Sequence, residues 1–194
     1  MARVYFHRLK AIVTVLTLVS LGFAATAEPR HGIAMYGDPA LPEDFTALPY
    51  ANPDAPKGGR MRVVGVGGTF DSFNGYIVQG SPDVWTNSLV YETLLSDAYD
   101  APSTMYGNIA ESIEVADDYS WVIYNLREEA RFHDGEPITA DDIAFSLEIL
   151  KEQGLPLYRF YYQNVESTEI LDPHRIRLHF DESRTHARRF TAGS

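Results

Sequence analysis

With 194 residues, of which 45% are hydrophobic, 22% charged and 12% aromatic, the chain has the balance of an ordinary globular domain, which excludes a disordered, collagenous or coiled-coil polypeptide. Cysteine is absent, and with it disulfides, cysteine-type zinc sites, thiol nucleophiles and cysteine lipidation. A formal net charge of −11 repels nucleic acid and anionic headgroups, so no nucleic-acid partner is expected.

The first 27 residues differ from the rest. Arg3, Arg8 and Lys10 precede an apolar run from Ala11 to Ala25, and Ala25-Thr26-Ala27 closes it with the small residues of a signal-peptidase site. A membrane anchor is the competing reading, but the run is 15 residues long and at ~1.5 Å rise covers only ~22 Å of a ~30 Å hydrocarbon core. Residues 1–27 are therefore expected to be a cleavable secretory signal, with Glu28 first in the mature chain and a periplasmic location.

Residues 28–59 carry Pro29, Pro39, Pro42, Pro49, Pro53 and Pro56, each of which removes a backbone donor and disfavours helix before it. They form an extended arm, and Ile33, Met35, Tyr36, Phe45, Leu48 and Tyr50 can dock it on a larger body. After Gly58-Gly59, the alternating, β-branched run Arg60 to Val66 predicts a first strand. Gly67 to Pro82 mixes glycine with Phe70, Phe73 and Tyr76 and reads as a loop presenting aromatic rings. Phe70, Asp71, Phe73, Asn74 and Tyr76 are the candidate substrate-binding residues, since they combine stacking surface with an amide and a carboxylate on a loop. Phe70 and Phe73 could equally pin the loop to the core.

Ser81 or Asp83 can cap a helix in which Val84, Trp85, Leu89, Val90, Leu94 and Leu95 recur at helical spacing, ending near Ser96. Ile113 to Val115 and Ser120 to Arg127 flank Asp117-Asp118-Tyr119 and predict a hairpin. Thr139 and Asp142 form a capping pair for a helix that runs to about Glu152, stopped by Gly154 and Pro156. Val165 to Leu171 and Arg175 to Phe180 predict a second hairpin around Asp172-Pro173-His174. The order is that of a mixed α/β unit with a substantially antiparallel sheet.

Signals for chemistry are incomplete. Gly65-Val66-Gly67-Gly68-Thr69-Phe70 ends a dinucleotide fingerprint in phenylalanine. The six histidines include no pair at zinc-helix spacing, and the chain has no G-x-S-x-G elbow. His133-Asp134 beside Gly135 reads as a turn pair, and Tyr158, Phe160, Tyr161 and Tyr162 as the edge of a core or a stacking platform. No catalytic residue, metal ligand or cofactor is expected, and the chain is read as a non-enzyme; a secreted hydrolase would need a nucleophile and base that the sequence does not offer.

The stretch Ala110 to Ser146 resembles the signature region of the oligopeptide and dipeptide-binding family of solute-binding proteins of ABC importers, family 5. The residues that carry the resemblance are Ala110, Glu111, Val115, Asp118, Leu126, Arg127, Phe132, Asp134, Gly135, Pro137, Thr139, Ala140, Asp141, Ile143 and Ser146. His31 to Gly37 and Asn52 to Gly59 look like the branch associated with longer oligopeptides and microcin-type antibiotics.

The resemblance implies an α/β fold of the type II periplasmic-binding-protein kind, in which two lobes close on a ligand. Residues 60–182 would be the N-terminal part of lobe I, a mixed sheet with antiparallel hairpins. It also implies a peptide ligand and, in the full-length context, an ABC importer membrane permease as partner. Full members are much longer, and residues 183–194, with Arg184, Arg188 and Arg189, read as an aberrant tail left by a frameshift or truncation. Binding by this length alone is expected to be weak or absent, so that a truncated product with no independent activity is the other reading.

Overall fold

The computed structural model describes residues 27–62, 69–76, 78–83 and 85–181. The apolar leader, the expected strand from Val63 onward and the tail 183–194 lie outside the described residues. Among the described residues no helix is long and apolar enough to cross a membrane.

Two antiparallel sheets organise the fold. The smaller has three strands, β1 (Gly32–Ala34), β2 (Leu95–Asp97) and β3 (Thr104–Gly107), in the order β1-β3-β2. The larger has four, β4 (Ala110–Val115), β5 (Trp121–Leu126), β6 (Val165–Asp172) and β7 (Arg175–Phe180), in the order β4-β5-β7-β6. Both expected hairpins are present, and a non-local pairing joins them, with Trp121 opposite His179 and Asn125 opposite Arg175. The mixed α/β class with antiparallel hairpins is as the sequence predicts.

The first hairpin turns through Tyr119, whose φ of 60° is left-handed, and Asp118 Oδ1 accepts from both the amide and the hydroxyl of Ser120. Helix α2 (Ala140–Gln153) starts where the capping pair places it: the Asp142 carboxylate accepts from the Thr139 amide at 2.8 Å and from its hydroxyl at 2.7 Å. Ala140 and Leu147 of α2 pack with Ile113, Val122, Val165, Ile176 and Leu178 into one core. The inward residues Ile176 and Leu178 of β7 alternate as a half-buried strand requires, whereas in β5 the consecutive Val122 and Ile123 are both buried, one on each face.

The opposite face of the large sheet is a charged lattice. Glu114, buried on this face, accepts from Arg175 Nη2 at 3.2 Å and from Asn125 at 3.1 Å. Glu169 Oε2 lies 2.8 Å from Arg177 Nη1 and 3.2 Å from His179 Nε2. Hydrogen bonding to His179, then the charge of Arg177 and its hydrogen bond, hold the Glu169 carboxyl below its usual range. The Arg177 guanidinium also sits 5.2 Å over the Trp121 ring.

Two local expectations need correction. The helix expected from Asp83 to Ser96 is a single turn, α1 (Thr86–Leu89), and Leu95 and Ser96 belong to β2, opposite Gly107 and Tyr106. Pairing with β3 gives this stretch tertiary partners, where a short amphipathic helix standing alone would be marginal. Pro156 opens a helix rather than only stopping one: α3 (Pro156–Tyr162) has it at the first helical position, where no amide is required. Of the expected first strand only Arg60 to Arg62 are described, and among the described residues they have no strand partner.

The proline-rich arm packs only in part: Ile33 lies against the core, but Met35 and Tyr36, expected to dock it, are 70% and 81% exposed, and residues 51–59 are exposed throughout. Arg30 bridges to Ile113 and β1 joins the small sheet. His31 and Phe45 then flank Tyr106 at ring distances of 5.7 and 5.0 Å, and the Tyr106 hydroxyl accepts from the Leu41 amide.

Candidate functional site

The aromatic loop is a built structure. At its base the Asp71 amide donates to the Ser81 carbonyl and the Ser81 amide returns to Asp71 Oδ1, both at 2.9 Å. The Asp83 amide donates to the Ser72 carbonyl, also at 2.9 Å. Inside, the Asn74 amide donates to Ser72 Oγ and the Tyr76 amide to Asn74 Oδ1, each at 3.0 Å. These are the local side-chain-to-backbone bonds that serine, aspartate and asparagine favour in turns.

Two further contacts tie the loop to the body. Asn87 of α1 donates to the Gly75 carbonyl at 3.2 Å, and Gly75 is buried against it. Asp83 Oδ2 accepts from the Trp85 amide and the Thr86 hydroxyl, which fixes α1 to the end of the loop.

The Tyr76 ring meets Tyr91 at 5.1 Å and Tyr158 of α3 at 5.6 Å. Burial raises the Tyr76 hydroxyl above its ordinary value, and the neighbouring Tyr158, Tyr162 and Tyr91 raise it further. Tyr162 and Tyr124 shift the same way, again chiefly through burial. The result is an uncharged aromatic seam in which a tyrosinate is disfavoured.

Phe70 and Phe73 pair with each other instead. Their rings are 4.9 Å apart, yet Phe70 is 50% and Phe73 69% exposed. An aromatic pair that packs on itself and not on the core leaves apolar surface for another molecule.

The five residues singled out from the sequence therefore divide into three uses. Phe70 and Phe73 face outward, Asp71 and Asn74 each commit Oδ1 to the loop's own backbone, and Tyr76 anchors it. Sequence reasoning did not connect Tyr91 and Tyr158 to this loop. The tyrosine-rich run of α3 divides as well: Tyr158 meets Tyr76, Tyr162 packs on the core, and Phe160 and Tyr161 are exposed. His133-Asp134 behaves as a turn pair, with Asp134 Oδ1 accepting from the Glu136 amide around Gly135 at φ 95°. Among the described residues no group of histidine, aspartate and glutamate could hold a metal ion.

A family model described as bacterial extracellular solute-binding proteins, family 5, middle region, matches residues 104–193. The chain is 39% identical over 165 residues to the peptidoglycan-binding protein YepA of Agrobacterium fabrum, covering 81% of this chain and 27% of that protein. It is 36% identical over 170 residues to the uncharacterized protein YejA of Escherichia coli, covering 87% and 28%. To the probable peptide-binding protein YejA of Agrobacterium fabrum it is 35% identical over 153 residues, covering 79% and 24%. The chain thus spans about a quarter of the length of the curated relatives it matches. Among solved structures, OppA of Haemophilus influenzae in complex with RPPGFSPFR has a TM-score of 0.45 and 22% identity, over 56% of this chain and 24% of that one.

Proposed function

Through residues 104–193 the chain belongs to the bacterial extracellular solute-binding proteins, family 5, and from that membership we propose that it serves, as part of a longer polypeptide, in binding oligopeptides outside the cytoplasm for delivery to an ABC importer permease. The described region is then part of one lobe of a two-lobed clamp, and the loop around Phe73 faces the cleft. The observation that carries this reading is the exposed Phe70–Phe73 pair on a loop held at its base by Asp71 and Ser81 and at its far end by Tyr76. A rigid loop that leaves two rings in solvent offers contact surface at little ordering cost.

Relatives named for peptide and for peptidoglycan binding support a ligand with a peptide backbone. We read the protein as a binding protein and not a hydrolase, since Asp71 Oδ1, Ser72 Oγ and Asn74 Oδ1 each accept from the loop's own backbone.

The test is calorimetric titration of a full-length relative, and of its equivalent of Phe73→Ala, with a mixed oligopeptide library and with soluble peptidoglycan fragments. Loss of affinity for the oligopeptides at unchanged melting temperature supports the reading. Unchanged affinity with a lowered melting temperature would show that Phe73 only pins the loop.

A further inference from the structure

A second concave surface lies far in the sequence from the aromatic loop, between α2 and β6. It is a groove of about 180 Å³ whose floor includes Leu147 and Val165. Glu148 and Glu152 on the helix side and Glu166 on the strand side line it and are all exposed. Among the described residues none of these three carboxylates is in an ion pair. The one cation in the lining, Lys151, is occupied: its Nζ donates to the Val165 carbonyl at 2.5 Å.

The strand wall is an edge. In the order β4-β5-β7-β6 only one side of β6 is paired, and no described residue bridges to its outer side. Residues 166–170 are exposed throughout. A free strand edge beside a helix offers a row of backbone donors and acceptors along which an extended chain can add, while side-chain chemistry in the groove selects which chain.

We propose that this groove binds an extended, lysine- or arginine-rich polypeptide segment, which adds as a further strand alongside β6 with its cations against Glu148, Glu152 and Glu166. Charge complementarity selects the occupant. Three carboxylates outside any ion pair among the described residues, around a small apolar floor, favour a cationic chain and repel an acidic one. Lys151 closes the end of the groove at Val165, so the added strand pairs along Glu166 to Ile170. The proposal is independent of what binds at the aromatic loop.

The experiment uses the chain of 194 residues and three fluorescein-labelled probes read by anisotropy. The first is a short peptide alternating lysine with valine, the second carries glutamate in place of lysine, and the third repeats the first with consecutive N-methylated amides. Only the first is expected to bind, with affinity falling as salt rises. The double variant Glu148→Lys, Glu152→Lys changes exposed helix positions only and should weaken binding by ~tenfold or more. Thr168→Pro, which removes an edge donor, should do the same.

Equal binding of the lysine and glutamate probes would overturn the proposal. So would insensitivity to the double lysine variant, which holds even where the proline variant fails to fold. A concentration-dependent dimer in sedimentation velocity that the double lysine variant abolishes would make a second copy the occupant, and would overturn it too.

Discussion

The ring of Tyr158 lies 5.6 Å from the ring of Tyr76, so a short helix late in the chain holds the far end of a loop that begins near its start. The loop's position relative to the large sheet therefore depends on α3 as much as on its own turns. Tyr76→Ala removes two ring contacts, with Tyr91 and Tyr158, and is expected to cost about 2 kcal/mol. Phe73→Ala removes an exposed ring and should leave stability within ~0.5 kcal/mol. Urea unfolding of the two variants side by side checks the contrast, and equal losses would mean that Phe73 is also part of the anchor.

Gly75 and Asn87 should behave as a coupled pair. A Cβ added at Gly75 would meet Asn87 Oδ1 at 1.6 Å, so Gly75→Ala must swing the amide away and break its bond to the Gly75 carbonyl. The expected cost of either Gly75→Ala or Asn87→Ala is about 1–2 kcal/mol. In the Asn87→Ala background the alanine at 75 no longer meets the Asn87 amide and should cost less than it does alone. A double-mutant cycle by denaturant unfolding reads the difference, and strict additivity would show that the clash is not what limits the site.

Asp142 secures the start of α2 by accepting from both the amide and the hydroxyl of Thr139. Asp142→Ala is expected to destabilise the fold by about 1 kcal/mol, and Thr139→Ala by a similar amount. Because the two act through the same carboxylate, the double variant should cost less than the sum of the single ones. Thermal unfolding of the three variants measures this directly.

Alkaline pH should weaken the fold through the tyrosine seam. Tyr76, Tyr124 and Tyr162 are all raised above 10.0, chiefly by burial. A raised folded value means that the folded state holds its proton more tightly than the unfolded chain. The associated stability is complete below pH 10.0 and is lost as pH rises from there through the folded values. Urea midpoints measured across that range should fall with pH, and Tyr124→Phe should flatten the fall. A wild-type limb that stays flat above pH 10.0 would contradict the burial argument.

How much of this was legible in the sequence depends on whether the determining partners were close in the chain. The hairpin at Asp117-Asp118-Tyr119 and the cap at Thr139 and Asp142 are settled within a few residues, and both could be read directly. Leu95 and Ser96 could not, because their strand exists only through Gly107 and Tyr106, and the apolar spacing before them mimics a helix. Pro156 was legible as a helix stop but carries equal meaning as a helix start.

The candidate site shows the same division. Its outward rings could be proposed from composition, since glycine and aromatic residues share one loop. The use of Asn74 and Asp71 as backbone acceptors was hidden because the same side chains would serve a ligand equally well. The meeting of Tyr76 with Tyr158 depends on long-range packing that no local pattern announces.

The joining of the two hairpins has a consequence for how the chain acquires its structure. Each hairpin can close from nearby residues, but the pairing of Trp121 with His179 must wait for everything between them, including α2 and α3, to be in place. Closing so wide a loop is entropically slow compared with turning a hairpin. In a chain made from its N-terminus, β4 and β5 are therefore synthesised well before the strand that completes them, with the apolar side of Ile113, Val122 and Tyr124 uncovered. That interval is when the nascent chain is most open to aggregation, and its length is set by the rate at which Arg175 to Phe180 follow.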